Sequence, residues 1–161
     1  MKPAPRQGCQ QHPRMPSTHT SLHYHLIFAT KHREPSIAKK WRPELHSYLG
    51  GIVKGLGAHP QGIGGIADHV HLLVSLKPTA CLSDFMRELK KSSPAWIRES
   101  KCPGFQWQEG HAAFTVSASA RDSVRQYIAN QEEHHRTKSF REELVEFLEK
   151  SGVPYDPRYL D

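Results

Sequence analysis

Two groups of residues have types and spacings that could do chemistry. The first is His69-Val70-His71, set inside the apolar run Val70-Leu72-Leu73-Val74. On a strand, side chains two apart point the same way, so both imidazoles project side by side while Val70 faces the opposite side. Such a pair can supply two adjacent ligands to one metal ion; the plainer reading is two surface histidines on a half-exposed strand. The second group is Tyr127, Asn130 and Gln131. Tyr127 and Gln131 are four apart and share a helix face, with Val124 and Ile128 as the apolar stripe beside them. A tyrosine is a competent covalent nucleophile when a metal polarises the phosphate it attacks. Alone, the same pair reads as a core aromatic and a solvated amide.

The elements that position these groups follow from periodicity. Residues 21–30 alternate, with Leu22, Tyr24, Leu26 and Phe28 on one face and His23, His25 and Ile27 on the other, which is strand chemistry. Lys31-His32-Arg33 follows as a basic turn. Residues 38–54 carry Trp41, Leu45, Tyr48, Leu49 and Ile52 at helical spacing, with Pro43 in the first turns and Gly55-Leu56-Gly57 as the stop. Extended segments are expected at 59–66 and 68–76, then a helix over 83–99 with Ser83 as N-cap and Pro94 kinking or dividing it. Short strands are expected at 105–107 and 113–117, then helices over 120–137 and 140–151, and an irregular end from Gly152. The order β-α-β-β-α-β predicts an α+β, ferredoxin-like (RRM-like) antiparallel sheet with helices on one face, plus additional C-terminal helices. Residues 1–17, rich in Pro, Gln and Arg, read as a disordered tail, and residues 18–161 as a single catalytic domain.

Bulk composition narrows the partners. Lys and Arg number 22 against 16 Asp and Glu, a formal charge of +6 that favours a polyanion. Arg87, Lys90 and Lys91 share one helical face before Ser92 and Ser93, and Lys31 and Arg33 sit in the basic turn. All five are candidate DNA contacts that could track a phosphate backbone, or ordinary solvated charges. Phe105 and Trp107 could stack on unpaired bases or pack in the core. No run approaches the ~20 apolar residues of a membrane span, and the first residues lack a secretory apolar region. Cys9, Cys81 and Cys102 form no CxxC pair, which argues against a disulfide framework or a cysteine zinc site and makes a reducing cytoplasm the expected setting.

Taken together, HxH on a strand and Tyr-x-x-x-Gln on a later helix resemble the HUH single-tyrosine transposases, the IS-200/IS-605-like group with its REP-associated tyrosine transposase relatives. The resemblance runs from about Thr18 to the C-terminus, through HYHLIFATKHR, ADHVHLLV, FQWQEGHAAFTVS, YIANQEEHHRTKSF and EFLEKSGVPYDPRYL. It implies a ferredoxin-like fold acting as a homodimer on single-stranded DNA and recognising hairpins near an element's ends. It implies further that His69, His71 and Gln131 hold Mg²⁺ or Mn²⁺ and that Tyr127 attacks the scissile phosphate. The product is a 5′-phosphotyrosine, which a 3′-hydroxyl later reverses, so no nucleotide cofactor is needed. Tyr127 can serve its own subunit or a partner's, and His134 and His135 can cap or pack the helix end. Pro94 and the tail 1–17 depart from the family's pattern. The competing readings are a domesticated, non-catalytic nucleic-acid-binding module of the same fold, a nuclease that activates water, and a plain scaffold protein.

Overall fold

A computed structural model describes residues 17–160. The tail expected over residues 1–17 therefore lies almost wholly outside the described residues. The strands are β1 (His23–Ala29), β2 (His59–Gly65), β3 (His69–Ser75) and β4 (Ala112–Val116); the helices are α1 (Arg42–Gly55), α2 (Leu82–Ser100), α3 (Arg121–Ala129), α4 (Gln131–His134) and α5 (Phe140–Lys150). The strands form one antiparallel sheet in the order β2-β3-β1-β4, the ferredoxin-like order.

Strand periodicity divides the sheet into two faces with different chemistry. Leu26 and Phe28 of β1 join Val70, Leu72 and Val74 of β3 in the main core. Against them α1 sets Leu45, Leu49 and Val53, four residues apart, and α2 sets Phe85, Met86, Leu89 and Ile97. Burying each such side chain contributes roughly 1.5–3 kcal/mol, which outweighs weak local propensities. The opposite face carries His25, Ile27, Ala29, His69 and His71, all buried. Register sets Ile27 opposite His71 and Ala29 opposite His69. This second face is covered by the C-terminal helices, where Phe140, Leu144 and Phe147 of α5 meet Ile27, Ala29 and Phe114. The sheet is thus a middle layer, with its histidines sealed beneath α3, α4 and α5.

Several sequence expectations change for physical reasons. Pro94 does not divide α2, which runs unbroken from Leu82 to Ser100. Ser93 and Pro94 are both buried there, and the Ser93 hydroxyl donates to Leu89 O while accepting from Trp107 Nε1. Packing on both flanks offsets the bond that proline cannot make. The N-cap of α2 is Cys81 rather than Ser83, and it makes no side-chain cap bond. Residues 105–107 form no strand; Trp107 makes a single bridge to Thr30. Phe105 and Trp107 are both core residues, so neither is free to stack on bases. The helix expected over 120–137 is broken at Asn130 (φ −98°, ψ 22°), which separates α3 from α4. No helix among the described residues is long and apolar enough to cross a membrane.

Candidate active site

The site is built on β3. His69 and His71 are both fully buried, which removes the surface-pair reading. The Nδ1 of His69 lies 2.7 Å from Asp68 Oδ1, and Arg33 holds the same carboxylate through Oδ2 at 2.8 Å. Burial works against the Asp68 charge, but the His69 hydrogen bond and the Arg33 guanidinium hold its pKa down to about 2. Arg33 reaches Asp68 from a turn in which His32 (φ 56°) and Arg33 (φ 58°) are both left-handed, an arrangement that costs roughly 1–2 kcal/mol per residue. The turn is held by Thr30, whose hydroxyl donates to Glu34 O and Asp68 O. Arg33 also lies over the Phe140 ring at 4.0 Å, tying the turn to α5.

His71 is fixed differently. Its Nδ1 lies 2.8 Å from Nε2 of His25, the inward residue of β1 beside it. Burial lowers the pKa of His71 to about 4 and of His25 to about 3, so both imidazoles are neutral at pH 7. The Nε2 of His71 is buried and makes no hydrogen bond, although Glu143 Oε2 stands 3.4 Å away. A buried polar atom left without a partner costs about 1–3 kcal/mol unless something else satisfies it. A metal ion would satisfy it, because a neutral imidazole ligates through a bare nitrogen.

Around that nitrogen gather groups from the C-terminal helices. Gln131, at the start of α4, is buried, with Oε1 3.3 Å from His69 Nε2 and 3.0 Å from His135 Nε2. His135 Nε2 is 3.1 Å from Glu143 Oε2, and its Nδ1 is fixed by Lys138 O at 2.8 Å. One ligand atom each from His69, His71, His135 and Glu143 lies within 4.8 Å of the others. Two ligands about 2.1 Å from one ion sit about 3.0 Å apart at a right angle and about 3.4 Å apart at a tetrahedral one. The separations here fall near that range, and the donor set of imidazoles, a carboxylate and an amide oxygen suits a divalent transition metal or Mg²⁺.

Tyr127 enters from α3, and its hydroxyl donates to Glu143 Oε1, while His134 Nε2 lies 3.1 Å from the phenol oxygen. Burial, reinforced by Glu143, pushes the phenol well above its ordinary pKa. Its ring stands edge-on to His25 and His71. The phenol also borders a cavity of about 350 Å³ lined by His25, Phe147, Lys138 and Lys150 among others. Burial would raise the pKa of Glu143, but His135, His71 and Tyr127 around it hold the carboxylate well below the usual range.

The structure thus brings together His69, His71, Gln131 and Tyr127, and adds His135 and Glu143. Sequence reasoning left His135 to cap or pack the helix end and missed Glu143. A signal for Glu143 exists: it lies three residues after Phe140 and four before Phe147, on the stripe that α5 buries. The basic candidates lie elsewhere. Arg87 and Lys91 are exposed on α2, across the sheet from the histidines. Arg87 is paired with Asp84 at 2.7 Å, and Lys90 is half-buried, donating to Gln108 O and Gly110 O. With Arg98, Trp107 and His111 these residues line a groove of about 500 Å³. Lys31 is exposed and donates to Gln106 Oε1.

Known proteins resemble this chain in sequence and fold. The sequence model of the family described as Transposase IS200 like matches residues 18–131. The ISDra2 transposase TnpA of Deinococcus radiodurans is 29% identical over 117 residues, covering 68% of this chain and 84% of that protein. A crystal structure described as that of a transposase from D. radiodurans R1 superposes with a TM-score of 0.58 at 28% identity, over 73% of this chain and 97% of that one. A REP-associated tyrosine transposase bound to a REP hairpin shares the fold, with a TM-score of 0.53 at 12% identity over 72% of each chain. The match spans both β3 and the tyrosine helix, and the chain belongs to the IS200-like transposase family.

Proposed function

We propose that the protein cuts and rejoins single-stranded DNA through a metal-assisted 5′-phosphotyrosine intermediate, with Tyr127 as nucleophile. One observation carries this reading. A phenol and a cluster of metal-competent side chains share a single buried carboxylate, Glu143, so nucleophile and candidate metal site are in register within one chain. A scaffold protein has no use for His25, His69, His71, Gln131 and Glu143 all buried at such cost. A water-activating nuclease has no use for a tyrosine held there.

In this reading His69 and His71 present their Nε2 atoms, with Asp68 and His25 fixing the tautomer of each ring from behind. Gln131 presents its amide oxygen to the same space. A bound Mg²⁺ or Mn²⁺ would neutralise charge developing on the scissile phosphate and assist the leaving oxygen. The Tyr127 oxygen bonds to phosphorus, and the bond from phosphorus to the 3′-oxygen breaks. The strand leaves with a 3′-hydroxyl, and the 5′-phosphate stays on Tyr127. Attack by a 3′-hydroxyl on that ester rejoins DNA and returns the phenol, conserving the bond energy. Lys138 and Lys150, on the rim of the cavity beside Tyr127, suit incoming phosphates.

DNA recognition belongs to a different surface in this reading. The groove beside α2, with Arg87 and Lys91 exposed on it, takes the stem of a hairpin, and Lys31 lies at the edge of the basic turn. Lys90 and Arg33 contribute through the segments they hold in place. The hairpin-bound REP transposase shares this fold, which supports a hairpin as the ligand class.

The test is covalent trapping. Labelled single-stranded DNA carrying the hairpins from the ends of the chain's own genetic element is mixed with protein and Mg²⁺ or Mn²⁺, then run under denaturing conditions. Wild type should give a slow, metal-dependent band that is absent in Tyr127→Phe and in the double variant His69→Ala, His71→Ala. Cleavage that survives Tyr127→Phe would move the reading to a water-using nuclease. Hairpin binding without cleavage by wild type would move it to a non-catalytic module.

A further inference from the structure

We propose that Glu143 is a ligand of the metal centre as well as the group that positions Tyr127, so that α5 is a working part of the site. This rests on the reading above and adds to it a residue beyond the matched segment, which ends at Gln131. A carboxylate has two oxygens and about four acceptor positions, and here the two oxygens do different things. Oε1 accepts from the Tyr127 hydroxyl and from Gln131 Nε2 at 3.3 Å. Oε2 faces the nitrogens, at 3.1 Å from His135 Nε2, 3.4 Å from His71 Nε2 and 3.7 Å from His69 Nε2. Among the described residues no lysine or arginine makes an ion pair with this buried side chain; histidines, Gln131 and the phenol surround it, and Lys138 acts on it only from further away. A buried carboxylate without a fixed cation is costly unless paired. An ion beside the two Nε2 atoms would place a fixed positive charge against Oε2 and also satisfy His71 Nε2, which makes no hydrogen bond.

The placement is built into α5. Its first turn is fixed by a capping box in which Ser139 and Glu142 satisfy each other's backbone groups. Phe140 packs on the His69 ring at 4.5 Å, and Phe147 stands edge-on to His25 and Tyr127. Glu143 lies between those two contacts on the same buried stripe. The shared carboxylate would leave the phenol within reach of a phosphate bound at the ion.

The experiment titrates Mn²⁺ into the full chain without DNA and follows free Mn²⁺ by its electron paramagnetic resonance signal. Glu143→Gln should weaken binding by at least the 10- to 100-fold typical of losing a metal site's supporting groups, with circular dichroism unchanged. Tyr127→Phe, which removes the other partner of the same carboxylate, should leave Mn²⁺ affinity unchanged. If Glu143→Gln does not fold, Glu143→Asp keeps the charge and shortens its reach, and should weaken binding measurably. Wild-type affinity in the folded Gln or Asp variant overturns the inference. So does equal weakening by Tyr127→Phe, which would trace the effect to packing. The double variant His69→Ala, His71→Ala separates the two readings. If it binds Mn²⁺ like wild type, the metal centre itself is wrong; if it loses Mn²⁺ while Glu143→Gln does not, only the role of Glu143 fails.

Discussion

At the residue scale, the two β3 histidines differ in what stands behind them. His69 is backed by a carboxylate that Arg33 holds in place, and His71 by another neutral imidazole, His25. His25→Leu keeps an apolar residue against Phe147 but leaves His71 Nδ1 buried and unpaired, at a cost of about 1–3 kcal/mol. It should lower the urea midpoint and weaken Mn²⁺ binding, both measurable on one preparation; unchanged Mn²⁺ affinity would show that His25 has no part in orienting the ligand. His46 on α1 permits a separate test, of acid sensitivity. Burial first, and then the nearby Arg42 charge, lower its pKa from 6.5 to about 4, and its Nε2 is buried without a partner. The folded state therefore resists a proton that the unfolded chain accepts. This penalty is absent above pH 6.5, grows as the pH falls and levels off near pH 4. His46→Leu should lose less stability than wild type over that interval when urea unfolding is compared at its two ends. Sequence spacing was enough to find the HxH and Tyr-x-x-x-Gln groups, because each periodicity puts its pair on one side. The same spacing puts Glu143 on the stripe of Phe140 and Phe147, but a glutamate within a helix is ordinarily solvated, so its burial is evident only in the fold.

At the element scale, the position of α3 sets the position of Tyr127, the proposed nucleophile. A Cβ on Gly64 of β2 would stand 2.1 Å from Ile128 O, closer than any real contact, so the backbone of α3 approaches the strand where only glycine fits. Gly64→Ala must push α3 away, at the roughly 1–3 kcal/mol typical of overpacking. Tyr127, one residue before Ile128, should move with it. DNA cleavage should therefore fall much further than hairpin binding, read by trapping gel and by anisotropy. Gly51→Ala on α1 is the opposite case: nothing lies within 4 Å of its Cβ. It should stabilise by about 0.4–1 kcal/mol through helix propensity and unfolded-chain entropy. The strands and long helices were legible because alternation and a 3.6-residue repeat show in the residue types. The break at Asn130, the intact passage of α2 through Pro94 and the loss of a strand at 105–107 were not. Each depends on partners distant in sequence: Glu143 against Gln131, Trp107 against Ser93, and Thr30 opposite Trp107.

At the scale of the whole molecule, the sheet separates the metal-competent cluster from the exposed basic surface. The metal-competent cluster lies under α3 to α5 on one face, and the exposed basic side chains of α2 lie beyond the other. If phosphate binding is carried by that second surface, affinity and catalysis are separable by mutation. Arg87 is tied to Asp84 and Glu88 only by exposed pairs, which exchange readily for phosphate. Each phosphate contact releases counterion, so the slope of log affinity against log salt is about 0.9 per contact on a duplex stem and about 0.7 on a single strand. The double variant Arg87→Ala, Lys91→Ala should therefore reduce the salt slope of hairpin binding by about 1.4–1.8 while leaving Mn²⁺ affinity at the wild-type value. His69→Ala should do the reverse, abolishing Mn²⁺ binding with no change in slope when binding is measured without metal. An unchanged slope in the α2 variant would remove that groove from the DNA path. The phosphate contacts would then fall to the face of Lys138 and Lys150, beside Tyr127.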